Sequence, residues 1–388
     1  MLVAVVGGKL QGIEAAYLAH KAGWGVKVID KDSGVPASGL GDLFLQLDVT
    51  AEKALTPVLN DVDLVIPALE DEEALRCLDR WTRARNIPFA FDSAAYSISS
   101  SKLASEQIFL HLGVATPKPW PGCRFPVVAK PSEGSGSDDV QIFDRPDSVK
   151  RHLNGSTRDW IIQEFIDGPS YSLEIIGNPG NYTPVQVTDL GMDSQYDCKR
   201  VIAPTDLSDH LILDFETLAI SLAEALELKG LMDVEVILHD NRLRVLEIDA
   251  RLPSQTPTVV YWSTGQNLVQ MLGQIFLSIP KTGEGNRQPP RGVVYEHIHV
   301  TPCLLEVVGE HIMSNSGALH VCQDFFGADE AITNYAPGRE EWVATLIISG
   351  KDRKHAWAKR DQVIKEIQGK YHLKRYTDSS PKPIEPKS

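Results

Sequence analysis

Hydrophobic and polar positions alternate most strictly across residues 231–257, LMDVEVILHDNRLRVLEIDARLPSQTP. Strand side chains alternate between faces, so Val234, Val236 and Leu238 share one side and Asp233 and Glu235 the other. The return strand repeats this, with Leu246 and Ile248 on one side and Glu247, Asp249 and Arg251 on the other. The pattern predicts a β-hairpin turning near Asp240 and Asn241, whose loop length sets the register. A three-residue loop, 240–242, puts Glu235 opposite Glu247. A two-residue loop puts Glu247 opposite Val234 and mixes the faces, so the longer loop is expected. Like charges facing each other in a sheet repel, which makes the pair suspicious unless a cation lies between them. Oxygen ligands with no His or Cys nearby suit Mg²⁺. The plain alternative is an amphipathic hairpin with a solvated acidic face.

Elsewhere the pattern predicts an N-terminal strand at 1–6, a GGKLQG turn at 7–12, a helix, and a strand at 25–30 ending in Asp30. Asp30 stands where a Rossmann unit keeps its ribose-binding acid. The fingerprint G-x-G-x-x-G nevertheless fails at Lys9, whose side chain would obstruct a pyrophosphate, so an NAD-binding oxidoreductase is only the alternative reading. The turn is then a packing feature of a doubly wound domain, leaving Lys9, Leu10 and Gln11 to face a ligand at the strand ends. A strand within 61–69 runs into Glu70, Asp71, Glu72 and Glu73. Acids opening a helix complement its dipole, but Glu70 and Glu72 are also placed to hold a substrate ammonium.

From residue 94 the chain becomes Ser-rich, then offers a helix holding Lys102, a strand at 126–130 ending in Lys130, and a Gly/Ser loop at 131–138. A lysine ahead of such a loop can neutralise phosphate oxygens while the loop amides cover them. A further strand carries Gln163, Glu164, Phe165 and Ile166 to a turn at Gly168 and Pro169, and can present backbone groups to an adenine edge. A Gly/Pro-rich linker at 280–291 marks a boundary. Alternating segments at 293–300, 318–326 and 341–350 and a helix at 354–369 predict a small β-rich domain. Within it His297 and His299 share a strand face next to Glu296, with no third metal ligand evident. The expected divisions are 1–92, 93–280, 281–376 and a disordered tail at 377–388.

Composition narrows the partners. The 388 residues allow two or three domains, and 43% hydrophobic with 23% charged content is that of a soluble globular chain. A net charge of −14 argues against nucleic acid as a main partner and leaves small cationic substrates open. Five cysteines without CxxC spacing argue against zinc and a disulfide framework and suit a reducing compartment. No run approaches 18 apolar residues, so no membrane span is expected and a cytoplasmic location is. A homodimer is left open.

Lys102, Lys130 with its loop, QEFIDG and the hairpin ending EIDAR together resemble the ATP-grasp superfamily over roughly residues 85–280. Its members activate a carboxylate as an acyl phosphate made from ATP. The resemblance implies an α/β (α+β overall) ATP-grasp architecture: an N-terminal doubly wound, Rossmann-like parallel-sheet domain, a central ATP-grasp domain and a small C-terminal β-rich domain. By it, Lys102 and Lys130 contact nucleotide phosphates and Ser135, Gly136 and Ser137 lie in the covering loop. Gln163 faces the adenine amino group, with Glu164, Phe165 and Ile166 along the ring. Glu235, Glu247 and Asp249 hold two Mg²⁺ ions, and Arg251 faces the acyl phosphate, with Lys130 its catalytic partner. Family members usually carry Asn where this chain has Asp249, and Ser170 stands where some ligases have a ribose-binding acid. The N-terminal region resembles the purine-biosynthesis carboxylases. The whole chain, including GMDSQYDCKRV at 191–201, is similar to the ligase family of pyrrolysine biosynthesis, which joins 3-methyl-D-ornithine to the side-chain amine of L-lysine. That implies cationic amino-acid substrates, for which Tyr171, Arg251 and Ser254 are further candidates. A purine-type carboxylase or ligase is the alternative within the superfamily.

Overall fold

The computed structural model describes residues 1–134, 139–154, 156–278 and 289–381. The strands Leu2–Val6, Gly25–Asp30, Leu43–Gln46 and Leu64–Pro67 form one parallel sheet, with Leu2–Val6 between Gly25–Asp30 and Leu64–Pro67. Both faces are covered, which explains the unbroken apolar run LVAVV: Val3 and Val5 enter one core, Ala4 and Val6 another. The helices Leu10–Lys21 and Glu72–Arg85 start at the carboxyl ends of this sheet, where open α/β sheets bind ligands. Gly7 sits at φ 110°, and a Cβ there would lie 2.1 Å from the carbonyl oxygen of Ala68. Asp30 accepts the Gly8 amide proton at 2.7 Å, so the acid fastens the glycine turn.

A three-stranded antiparallel sheet, Gln141–Phe143, Val127–Pro131 and Trp160–Glu164, carries Lys130 and Gln163. The remaining strands form one large sheet. It runs from the predicted hairpin, Gly230–His239 and Arg242–Asp249, through Ser170–Asn178, Asn181–Met192 and Cys198–Ala203 into Gly292–Val300 and Trp342–Gly350. Pairing of Cys198–Ala203 with Gly292–Val300 therefore carries one sheet across the boundary expected at 280/281. Residues 280–288 of the expected linker lie outside the described residues.

The hairpin realises the expected pairing by another route. Glu235 does face Glu247, yet the loop has two residues, with His239 opposite Arg242. Asp240 and Asn241 both have positive φ, 48° and 57°, the backbone of a tight hairpin turn. A register shift next to Glu235 makes up the difference: Val236 pairs with Val245, so Leu246 is an extra residue on its strand. The bulge moves Leu246 from the expected core face to the wall of a cavity shared with Glu247, while Val245 takes the buried place.

The expected disordered tail at 377–388 needs correction at its start, while residues 382–388 lie outside the described residues. Arg375–Asp378 is a strand pairing parallel with Leu304–Val307, so Thr377 and Asp378 belong to the sheet. Asp378 is tied to Lys199 at 2.7 Å and to Arg200 at 2.6 Å, buried cations that anchor this end of the chain. The expected strand at 318–326 is shorter, His320–Gln323, followed by a 3₁₀ turn at Phe325–Gly327. None of the described helices is long and apolar enough to cross a membrane.

Candidate active site at the junction of two cavities

One cavity, about 370 Å³, lies between the three-stranded sheet and the hairpin, with Lys102, Lys130, Gln163, Phe165 and Ile166 in its lining. Lys102 opens the helix Lys102–Leu112, whose first turn is capped by the Ser101 hydroxyl accepting from the Ala104 amide. Its ammonium donates to the Gly134 carbonyl at 2.6 Å and lies 3.3 Å from Glu247. Burial pulls the Lys130 ammonium below its usual pKa, a tendency that Glu247 opposes. The Glu164 carboxylate is occupied by the Lys118 amide at 2.9 Å and the Phe165 amide by the Pro126 carbonyl at 3.0 Å, which fixes this edge of the cavity. Ser170 is in the lining as well, and Lys199, Arg200, Ser380 and Pro381 close it from the far side.

The second cavity, about 800 Å³, opens toward the N-terminal sheet. Glu235 and Glu247 border both cavities and form the wall between them. Their proximity shows in their chemistry. Burial pushes the Glu235 carboxyl well above its usual range, and Glu247 and Asp233 push it further. Burial also acts on Glu247, but Lys102 and Lys130 outweigh it and hold that carboxyl below the usual range. Asp249 is raised to about 7, by burial first and then by Glu70 and Glu247 against the pull of Arg251. One oxygen of Asp249, Oδ1, is buried without a hydrogen-bond partner among the described residues. Among those residues no three His, Cys, Asp or Glu side chains close into a protein-only metal cage. The all-oxygen donors Glu235, Glu247 and Asp249, with the orphaned Oδ1, fit a hard cation that shares its shell with phosphate oxygens, which is how Mg²⁺ is commonly held.

Lys9, Leu10, Gln11, Glu70, Arg251 and Ser254 all line the larger cavity. The Arg251 guanidinium is 2.7 Å from Glu70 and 2.6 Å from Asp249, and Gln11 donates to Glu70 at 2.9 Å. The hairpin and the N-terminal sheet thus meet through one buried guanidinium.

Two expected substrate residues do not join the site. Glu72 points away from it: its side chain is 75% exposed and pairs with Arg76 one helical turn on, as a first-turn acid beside a helix dipole does. Tyr171 lies on the opposite face of its strand, 7% exposed in a core with Leu173 and Phe215. Ser135, Gly136 and Ser137 lie outside the described residues. His297 is buried against the Thr345 hydroxyl at 2.8 Å, His299 faces Glu341, and Glu296 is bound by Arg200 and Arg360, so these groups already have protein partners. Sequence reasoning missed Gln255, Glu310, Asp197 and His311, all lining the larger cavity. Asp197, Glu310 and His311 lie outside the regular alternation that drew attention to the hairpin: Asp197 in an irregular segment, Glu310 in a turn and His311 at the start of the short helix His311–Ser314.

An ATP-grasp domain model matches residues 99–255. The 3-methyl-D-ornithine–L-lysine ligase of Methanosarcina acetivorans is 35% identical over 368 residues, 92% of this chain and 95% of that protein. The ligase of the same name from Methanosarcina barkeri is 34% identical over 95% of this chain and 98% of its own. The chain belongs to the 3-methyl-D-ornithine–L-lysine ligase family. It is accordingly an ATP-grasp ligase, and enzymes of that type use ATP and Mg²⁺. Two solved structures show the fold at lower identity. N5-carboxyaminoimidazole ribonucleotide synthetase in its ADP complex has a TM-score of 0.69 at 15% identity, over 94% of this chain and 96% of that one. The biotin carboxylase domain of the Hydrogenobacter thermophilus 2-oxoglutarate carboxylase, solved with MgADP and bicarbonate, has a TM-score of 0.72 at 13% identity, over 94% and 89%.

Proposed function

We propose that this ligase joins 3-methyl-D-ornithine, through its carboxylate, to the side-chain amine of L-lysine, and that the junction of the two cavities is where it does so. The observation that carries this is the wall made by Glu235 and Glu247, with lysines on one side and Glu70, Asp249 and Arg251 on the other. ATP occupies the smaller cavity, its phosphates toward Lys102 and Lys130 and its base along Gln163, Phe165 and Ile166. Glu235, Glu247 and Asp249 hold two Mg²⁺ ions, which offset the charge of the phosphates when bound.

The carboxylate of the first amino acid attacks the γ-phosphorus, the bond to the β-phosphate oxygen breaks, and ADP leaves. Two anions meet in that step, and Lys102, Lys130 and Arg251 lower its cost. A substrate ammonium arriving at Glu70 replaces the guanidinium there and frees Arg251 to face the acyl phosphate. The neutral side-chain amine of the second amino acid attacks the acyl carbon, phosphate departs, and the nitrogen loses its proton. No protein nucleophile takes part. Cationic rather than anionic substrates are favoured by the acids Asp30, Asp48, Glu70, Asp71 and Glu73 on the cavity lining. That composition sets this reading above a purine-type carboxylase with an anionic ribotide. The described cysteines are all free, which supports a cytoplasmic location. The divisions 1–92, 93–280 and 281–376 are kept as the proposed domains; the four-stranded parallel sheet lies within the first, and the large sheet runs across the boundary between the other two. The test is ADP release with pairs of basic amino acids, with mass spectrometry of the product. Release that requires both substrates and yields the condensed dipeptide is expected; no turnover with any pair refutes the proposal.

A further inference from the structure

The larger cavity has acids at two places, and only one of them already has a guanidinium. At the N-terminal side, Glu70 and Asp249 share Arg251. On the other side stand Glu310 and Asp197, contributed by segments after the strands Leu304–Val307 and Asn181–Met192. Among the described residues Glu310 has no Lys or Arg ion pair; the Ser254 hydroxyl donates to it at 3.1 Å. Asp197 accepts from the His311 ring at 2.8 Å and lies so close to the backbone that a Cβ at Gly309 would meet its Oδ2 at 1.9 Å.

A second observation points to a ligand. Gln255 lines the same cavity at 5% exposure, and its Nε2 donates to the Cys198 carbonyl at 3.5 Å, while Oε1 has no hydrogen-bond partner among the described residues. Its backbone is held at φ 70°, ψ −61°, a conformation that L residues rarely adopt and that clusters at ligand sites. A buried amide oxygen without a donor costs free energy unless something arrives to fill it.

We infer that Glu310, Gln255 and Asp197 form a second cation pole that takes the charged α-ammonium of the amine-donating amino acid. The inference rests on the ligase reading above and adds which substrate group is held and where. The carboxylate that becomes the acyl phosphate must lie at the Glu235/Glu247 wall beside Arg251, so the first amino acid occupies the Glu70 side. The second enters from the remaining side. Its reacting amine must be neutral to attack and gains nothing from an acid, whereas its α-ammonium stays charged and needs three acceptors. Glu310, Gln255 Oε1 and Asp197 supply them. Burial pushes the Glu310 carboxyl up to about 7, with Asp197 adding to it and Ser254, His311 and Gln255 opposing, and a bound ammonium would draw it back to the charged form.

The experiment compares L-lysine with 6-aminohexanoate, which keeps the reacting amine and carboxylate but lacks the α-ammonium. The full-length protein is assayed with saturating Mg-ATP and first substrate, reading condensed product by mass. Glu310→Gln is expected to raise KM for lysine about tenfold or more, the scale of a lost charge-assisted hydrogen bond. Its kcat, its KM for ATP and its KM for 6-aminohexanoate should stay within about twofold of wild type, a split that general loss of structure would not produce. An unchanged lysine KM, or equal losses with both amines, overturns the pole while wild-type condensation leaves the ligase reading standing. Absence of wild-type product refutes the ligase reading itself. Should Glu310→Gln fail to fold, Gln255→Met removes one acceptor and must show the same selective rise in lysine KM, by a smaller factor.

Discussion

Two buried clusters of acids and bases lie on the same large sheet and are wired differently. In one, Glu296 is fully enclosed and takes hydrogen bonds from Arg200 and from Arg360 at 2.8 and 3.0 Å, while Asp378 pairs with Lys199, Arg200 and Arg360. Lys199 and Arg200 outweigh burial and hold the Asp378 carboxyl below its usual range. In the other, Lys102 pairs with Glu247 and Arg251 with Asp249, but Asp233 and Glu235 have no such pair among the described residues, and three of the four carboxyls are pushed up. The first cluster closes on itself; the second is left short of positive charge beside two cavities. A buried charge set that the chain completes serves the fold, and one that it leaves incomplete awaits a ligand.

The contrast predicts opposite mutational signatures. Glu296→Ala takes from Arg200 and Arg360, 8% and 6% exposed, the fully buried one of the two carboxylates they share and leaves them Asp378 alone. Breaking one partner of such a network costs on the order of 3–5 kcal/mol of stability, to be read by denaturant unfolding. A loss under about 1 kcal/mol would mean that the cluster is not structural. Glu247→Ala should do the reverse. Turnover falls about 10²-fold or more through lost stabilisation of the phosphates, while unfolding stability falls by less than in Glu296→Ala, because the counter-charge lost to Lys102 and Lys130 is partly offset by relief of the repulsion with Glu235. A near-normal rate at limiting Mg²⁺ would remove Glu247 from the cation site.

How far each cluster could be read beforehand follows from the range of its pairings. The hairpin acids were legible because period-two alternation and one local turn decide which side chains meet. Even there, the bulge at Leu246 was not: its position depends on how Val245 packs beneath the sheet, and two wrong premises, loop length and regular pairing, cancelled. The parallel N-terminal sheet was legible from its unbroken apolar strands. Glu296 with Arg200, Arg360 and Asp378 was not, because Glu296 meets Arg360 from 64 residues away and Arg200 meets Asp378 from 178. The tail's polar composition concealed a strand whose stability comes from buried cations rather than from apolar burial. Glu310 and Gln255 were missed for the same reason, since a cavity wall built from irregular segments leaves no period in the sequence.

A third buried carboxyl has no Lys or Arg ion pair among the described residues. Glu14, 1% exposed, accepts the Thr258 amide at the start of the helix Thr256–Thr264, and burial pushes it up to about 8. A folded pKa above the unfolded value means that the native chain keeps a proton which the unfolded chain has released. The stabilisation is then complete below about 4.5 and is lost as pH rises through about 8. Glu14→Gln is expected to flatten the fall in melting temperature between those limits while leaving turnover intact. An identical pH profile in the variant would show that Glu14 ionises as freely in the folded chain as in the unfolded one.

The smallest effect belongs to an acid that resembles the site's residues in sequence alone. Glu72 follows Glu70 by two residues, but the cap made by Asp71, whose side chain accepts from the Ala74 amide at 3.0 Å, starts a helix between them and turns Glu72 outward. Glu72→Gln therefore removes one exposed pair with Arg76 and some dipole compensation, together about 0.3–0.5 kcal/mol. The Michaelis constants for both amino acids should be unchanged, whereas Glu70→Gln, two residues earlier, should raise one of them. A raised constant in Glu72→Gln would mean that the helix start unwinds when substrate binds, and the division between ligand-facing and dipole-facing acids on this edge would have to be redrawn.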